Sequence, residues 1–355
     1  MRLTTFRAVF AHDERGKAFG IYGATLGFAS AVGLIAGGVL TSADLFGWGW
    51  RSVFLVNIPI ALATLVAAGR VVPETRDPHA GRPDLAGALL LSASILAIAY
   101  PLVEGRSHGW PIWGWLVLAA GIAGLVALGV VEQRRSHERV APLLRPGLLR
   151  IPAFSAGLAV MAAFAAALQG FFLILAVWLQ TGMGFSPLRA GLTALAFSVG
   201  SFLLAPAAVP LARRYGRLVL FAGGVLMALG ALGVRIGATH VGNATDFLPI
   251  VPGLLIAGVG LSLLIIPLAN VVLAAVPRQV AGGAGGTFST LQQLGGALGI
   301  AVVGTVFFGH LNGHSFTSAF RYSTPLVIAL FAIAALLSLA LPGTALSEEE
   351  LVDVE

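Results

Sequence analysis

Cysteine is absent from the chain, so neither a disulfide framework nor a thiolate metal site can be built. Charge is nearly as scarce. Only 10% of the 355 residues are charged, against 57% hydrophobic, a balance far from that of a soluble globular domain. Missing too are the motifs of enzyme chemistry: there is no HExxH, no GxSxG, no Walker loop and no pair of acids inside an apolar run. The glycine-rich AGGAGG at 281–286 follows an apolar segment instead of a strand, which argues against a phosphate cradle. The net charge is +6, yet the basic residues are scattered between apolar runs and not gathered on one soluble face, which excludes nucleic acid as a partner. No enzyme activity, cofactor or metal site is expected. The first seventeen residues are too polar for a secretory signal, so the first apolar segment is expected to be retained.

What the chain has in abundance is uncharged runs of about twenty residues, the length that crosses a bilayer. The sequence predicts an all-α integral membrane protein with ten spans, near 18–40, 52–72, 84–104, 113–132, 153–178, 188–212, 218–236, 247–275, 286–310 and 324–342. An even number places both termini on one side. With that side cytoplasmic, sixteen of the 21 basic residues fall inside, in the segments around Arg15, Arg76, Arg135, Arg214 and Arg278. Only Arg51, Arg106, Arg189, Arg235 and Arg321 fall outside, as the positive-inside rule requires. All six tryptophans (Trp48, Trp50, Trp110, Trp113, Trp115 and Trp178) come at or near the outer ends, where an interfacial belt would sit. Pro59, Pro206, Pro210, Pro252 and Pro267 lie inside expected spans, and Asn57 is placed to satisfy backbone freed by Pro59.

The first span keeps giving up side chains. Gly23, Gly27, Ser30, Gly33 and Gly37 fall at helical steps on one face, with Gly38 beside them, and contain two GxxxG patterns. Small residues let helix backbones approach in lipid, where apolar surface alone drives no association. Preceded by DERGKAFGIYG and followed by WRSVFLVNIPIAL, this stripe resembles the fifth-helix antiporter motif of the major facilitator superfamily, in its fourteen-span drug/proton antiporter branch. DLAGALLLSASILAIAYPLVEG (84–105), WLQTGMGFSPLRAGL (178–192) and GTFSTLQQLGGALGIAVVGTVFF (286–308) continue the resemblance in order. One departure is Leu34, where the family motif has proline.

The resemblance implies a helical bundle in which these ten spans are numbers five to fourteen and the first four are missing. It divides the chain into 1–72, a remnant of the N-terminal bundle; 73–132, two central spans; 133–152, a basic cytoplasmic linker; 153–345, a C-terminal six-helix bundle; and 346–355, an acidic disordered tail. It implies a cell-membrane secondary transporter that exchanges protons for a drug or other amphipathic small molecule by alternating access, with the glycine helix sliding on a partner across the bundle interface. A partner supplying the missing N-terminal helices is the corollary. Two other readings stand beside it: a non-transporting truncated membrane protein that packs on a full-length relative, and a ten-span carrier of the drug/metabolite type, against which the linker at 133–152 speaks.

Proton coupling calls for an ionisable residue inside the membrane. None falls near the centre of any expected span; on the family pattern the coupling acids lie in the missing helices. The candidate substrate-binding residues are therefore uncharged: Gln169 and Phe172 in the fifth span, Asn270 in the eighth, and Gln292 and Gln293 in the first turns of the ninth. Amides hydrogen-bond ligands, and aromatic faces hold lipophilic cations. The same amides can equally bond neighbouring helices.

Overall fold

A computed structural model describes residues 33, 36–43, 47, 49–71, 82–83, 85–105, 109, 111–135, 140–141, 146–241, 246–276 and 281–342. The first expected span, 18–40, falls largely outside them, as do Gly23, Gly27 and the acidic tail; residues 36–43 are helical. Nine long helices follow among the described residues: α1 (Arg51–Val71, interrupted at Val56), α2 (Leu85–Glu104), α3 (Ile112–Arg135), α4 (Pro152–Val177), α5 (Pro187–Tyr215), α6 (Arg217–Gly237), α7 (Val251–Ala274), α8 (Ala281–Leu311) and α9 (Phe316–Ser338). Eight are long and apolar enough to cross a membrane, and the apolar part of α2, Leu85–Pro101, is shorter. Helices are the natural outcome for uncharged chain in lipid, because each satisfies its own backbone groups where no water can. A two-residue parallel ladder joins Arg82–Pro83 to Val140–Ala141 and brackets the α2–α3 hairpin, an element with no signal in the sequence.

Helices α4 to α9 pack as a set with an internal symmetry. The principal contacts are α4 with α8, α5 with α7, α6 with α7, α4 with α9, α6 with α9, α5 with α6 and α8 with α9. Exchanging α4–α6 for α7–α9 turns six of these pairs into one another and α6 with α9 into itself, the relation expected of two three-helix repeats. The core sits among them, around Phe154, Phe164, Phe171, Trp178, Phe307 and Phe331, each at most 1% exposed. Outside this set, α2 packs on α3 and touches α8, whereas α1 has only 6% of its span buried against 50% for α4.

Glycine sets how closely these helices approach. A Cβ at Gly295 would lie 2.5 Å from the Ala162 carbonyl, one at Gly299 would strike that of Ala166, and one at Gly170 would sit 2.6 Å from Val303. Residues 162, 166 and 170 thus meet 295, 299 and 303, which makes α4 and α8 parallel over two full turns. The symmetry-related pair uses the same device: Gly200 of α5 abuts the Leu255 carbonyl and Gly258 of α7 abuts that of Phe197. Buried hydroxyls are satisfied within their own helices, Thr193 donating to the Arg189 carbonyl, Ser323 to Ala319 and Thr324 to Phe320.

Several expectations need correction. Trp178 is not part of an interfacial belt: its ring is fully buried, stacks on Phe320 with centroids 4.7 Å apart, and donates its indole N–H to Thr317 Oγ1 at 3.1 Å. It opens a π-helical turn, Trp178–Gly182, that ends α4 with Gly182 packed under Phe316. Trp50, Trp113 and Trp115 are exposed. Pro252 does not kink a span, because it occupies the first turn of α7, where no backbone N–H is needed; Pro206, Pro210 and Pro267 are helix-internal as expected. Asn57 donates to the Val53 carbonyl at 3.2 Å, a turn back across the interruption at Val56.

Replacing Gly258 by alanine is expected to lower stability by about 1–3 kcal/mol, because the added methyl meets Phe197 backbone that cannot yield. Gly309→Ala, with nothing within 4 Å, should be neutral or slightly stabilising. Unfolding of both variants in detergent micelles measures the contrast.

Candidate functional site

The five expected substrate-binding residues do not form one cluster. Gln169 is exposed on α4 and lays its side chain over Gly296 of α8, whose missing Cβ would lie 2.9 Å from Gln169 Cγ. Phe172, nearly one turn further on, is half-buried and meets Phe197 of α5 edge to face, with centroids 5.0 Å apart, and Phe171 at 5.8 Å. These residues make one tier, an amide and an aromatic edge where α4 meets α5 and α8.

The other three lie lower. The parallel register of α4 and α8 sets Gln292 and Gln293 at the level of residues 159 and 160. Val272 of α7 packs on Gly157 of α4, which brings Asn270 to much the same depth. All three are exposed. At 1.5 Å per residue, about 15 Å of helix separates this tier from Gln169. Gln292 and Gln293 also sit deeper in their helix than the sequence indicated, because α8 begins at Ala281 and places them three turns in. Alanine, glycine and threonine prolong the helix through 281–287, where the apolar pattern alone marks no start.

Of the glycine stripe, Gly33, Gly37 and Gly38 are described. Gly33 has nothing within 4 Å, and Gly37 reaches only Val53 Cγ1 at 4.0 Å. Gly38 is buried, and a Cβ there would lie 2.7 Å from Leu188 Cα and 3.2 Å from the Pro187 carbonyl oxygen, both at the start of α5. Backbone contact with the six-helix set is therefore made by Gly38, beside the stripe, and not by the described glycines of its face. Sequence reading missed this partner, as it missed Phe197 beside Phe172. The GxxxG at Gly295 and Gly299 was a legible signal for the α4–α8 seam, since it has the spacing already noted at Gly33 and Gly37.

Among the described residues, no ionisable group joins either tier. Among the described residues, Glu104 ends α2, Asp246 precedes the turn into α7, and His310 lies in the last turn of α8. No group of three or more His, Asp or Glu among the described residues is placed to hold a metal ion. The arrangement offers hydrogen bonds from amides and contact with aromatic rings, and no nucleophile beside a base.

Residues 1–300 match the family model described as Major Facilitator Superfamily. The chain is 39% identical over 319 residues, 89% of its length and 55% of the relative's, to a protein named probable actinorhodin transporter from Streptomyces coelicolor. It is 33% identical over 302 residues to a puromycin resistance protein of Streptomyces alboniger, covering 83% of the chain and 58% of that protein. A multidrug efflux pump of Mycolicibacterium smegmatis is 31% identical over 311 residues, 86% of the chain and 58% of the pump. The chain thus spans between half and three-fifths of each of these relatives. Its helices, its membrane-crossing lengths and the match over residues 1–300 agree: this is a multi-pass membrane protein of the major facilitator superfamily, a family of transporters and not of enzymes.

Proposed function

We propose that the protein is the greater part of a drug or amphipathic small-molecule exporter of the fourteen-span branch, driven by proton antiport and working by alternating access in the bacterial cell membrane with both termini cytoplasmic. The observation that carries the reading is the family match across residues 1–300, joined to relatives named for actinorhodin transport, puromycin resistance and multidrug efflux. On this reading, residues 1–72 are what remains of the N-terminal bundle, 73–132 the central pair of spans, 133–152 the linker, and 153–345 the C-terminal bundle, with 346–355 an acidic tail. The almost bare surface of α1 supports a further set of helices packed against it, from the same polypeptide or from a partner. Those helices would also bring the ionisable groups that neither described tier contains.

In this mechanism Gln169 and Phe172 contact the substrate at mid-membrane depth, and Asn270, Gln292 and Gln293 line its path nearer the cytoplasm. Gly38 forms the thin seam on which the two halves rock. An amphipathic substrate suits an amide and an aromatic edge, which ask for a polar group and an apolar face on the same molecule.

The reading is tested with the protein purified from its host's membrane and placed in proteoliposomes under an imposed proton gradient. Gradient-dependent export of puromycin or another amphipathic drug is the expected result; binding or insertion without flux would sink it. Intact mass from the same preparation is expected to exceed the 36.4 kDa of this chain by roughly 12 kDa, four spans with loops of about thirty residues each. A mass equal to the chain's would favour a separate partner or a non-transporting role.

Two substitutions probe the mechanism. Gly38→Leu should leave membrane insertion intact and cut transport about tenfold or more, since a side chain there meets α5 backbone. Gln169→Ala should raise the apparent KM for polar substrates by about tenfold, the scale of one lost hydrogen bond to a buried ligand group, and spare purely apolar ones. Uptake assays across a drug panel separate the two effects.

A further inference from the structure

One cluster plays no part in that reading. Where the ends of α6, α8 and α9 meet, a cleft of about 340 Å³ is lined by Arg235, Arg321, His310, Tyr322 and the hydroxyl groups at the start of α9. Arg235 donates its Nε to the Arg321 carbonyl oxygen at 3.0 Å, which fixes one guanidinium beside the backbone that carries the other. His310 stacks between His314 and Tyr322, with centroids 4.2 Å and 4.1 Å apart, and its Nε2 lies 3.2 Å from Ser318 Oγ. Among the described residues, no carboxylate lines the cleft. Two guanidinium groups on a firm aromatic wall, with no carboxylate among the described lining residues, make a site for an oxyanion.

The surroundings decide which oxyanion. Arg321 and Tyr322 lie in the first two turns of α9, just ahead of the apolar stretch 324–342, whose nineteen residues at 1.5 Å each rise about 28 Å and so fill a hydrocarbon core of about 30 Å. The cleft is thus at headgroup depth. From it, two apolar tracks run down the span. On α9, Tyr322, Pro325, Ala329, Ile333 and Leu336 are all exposed at helical steps on one face. On α6, Ile236, Leu229, Ala222 and Leu218 do the same, and α6 packs against α9. A small soluble anion would use the cleft and leave the tracks idle. An amphiphile uses both.

We propose that this cleft binds the phosphate of a membrane phospholipid, held by Arg235 and Arg321, with the acyl chains lying along the exposed faces of α6 and α9. The site is independent of what the protein transports. It gives a structural use to two of the few arginines found away from the strongly basic side of the chain.

Native mass spectrometry of the full chain in detergent, titrated with dioleoyl phosphatidylglycerol, tests the proposal. One lipid per chain should survive activation that strips the rest. Arg235→Gln with Arg321→Gln should reduce that retained fraction about tenfold, as expected for loss of charge-assisted hydrogen bonds, while Arg189→Gln, at the start of α5 and outside the cleft, should not. Millimolar inorganic phosphate should fail to displace the lipid. Equal retention by the double variant overturns the site, and displacement by inorganic phosphate overturns the lipid in favour of a soluble anion. If the double variant elutes as aggregate on size exclusion, Arg321→Gln alone, at an exposed position, and the phosphate competition on the unaltered protein decide the matter.

Discussion

Backbone-to-backbone contact at glycine, as where Gly295 and Gly299 of α8 lie against the carbonyls of Ala162 and Ala166, is the constraint from which the packing of α4 to α9 follows. In a bilayer, apolar side chains gain nothing by leaving lipid for protein, so association rests on close packing. A surface of leucines packs as well with acyl chains as with another helix. A glycine groove does not, because lipid fills it poorly and a neighbouring backbone fills it well. Gly200 and Gly258 play the same part between α5 and α7, so both members of a symmetry-related pair are held by one physical device.

This constraint also explains how the polar residues are distributed. Buried hydroxyls such as Thr193, Ser323 and Thr324 turn back onto their own helices and spend their one proton on a carbonyl there. The amides of Gln169, Asn270, Gln292 and Gln293 are exposed instead, in two tiers on helices whose relative heights are fixed by the glycine seams. A substrate path built from them is one of graded depth, with uncharged contacts at each level.

Much of this was legible in the sequence, for a physical reason: chain in lipid has few choices, so uncharged length translates directly into helix. Nine of the ten expected spans appear as helices, and the first falls mainly outside the described residues. What stayed hidden depended on neighbours. Trp178 looks like an interfacial residue until Phe320 is found stacked upon it. Hydropathy could not show that α8 begins at Ala281, because small residues extend a helix without an apolar pattern. Equally, no spacing in the sequence could set Asn270 level with Gln292, since that relation passes through Gly157 and Val272. The cleft at Arg235 and Arg321 joins residues 86 positions apart, and one-dimensional reading saw only two arginines counted to the outer side.

The π-helical turn at Trp178–Gly182 has a consequence for how such a chain can vary. A turn closed by i→i+5 bonds holds one residue more than an α-turn, and each residue advances a helix by about 100°. The turn therefore takes up a surplus residue locally and spares everything upstream from rotating: Gly170, Phe171 and Ile174 keep their faces while the indole still reaches Thr317. Positions 178–182 act as a phase buffer, the place in α4 where chain length can change by one without moving the seam on α8 out of register.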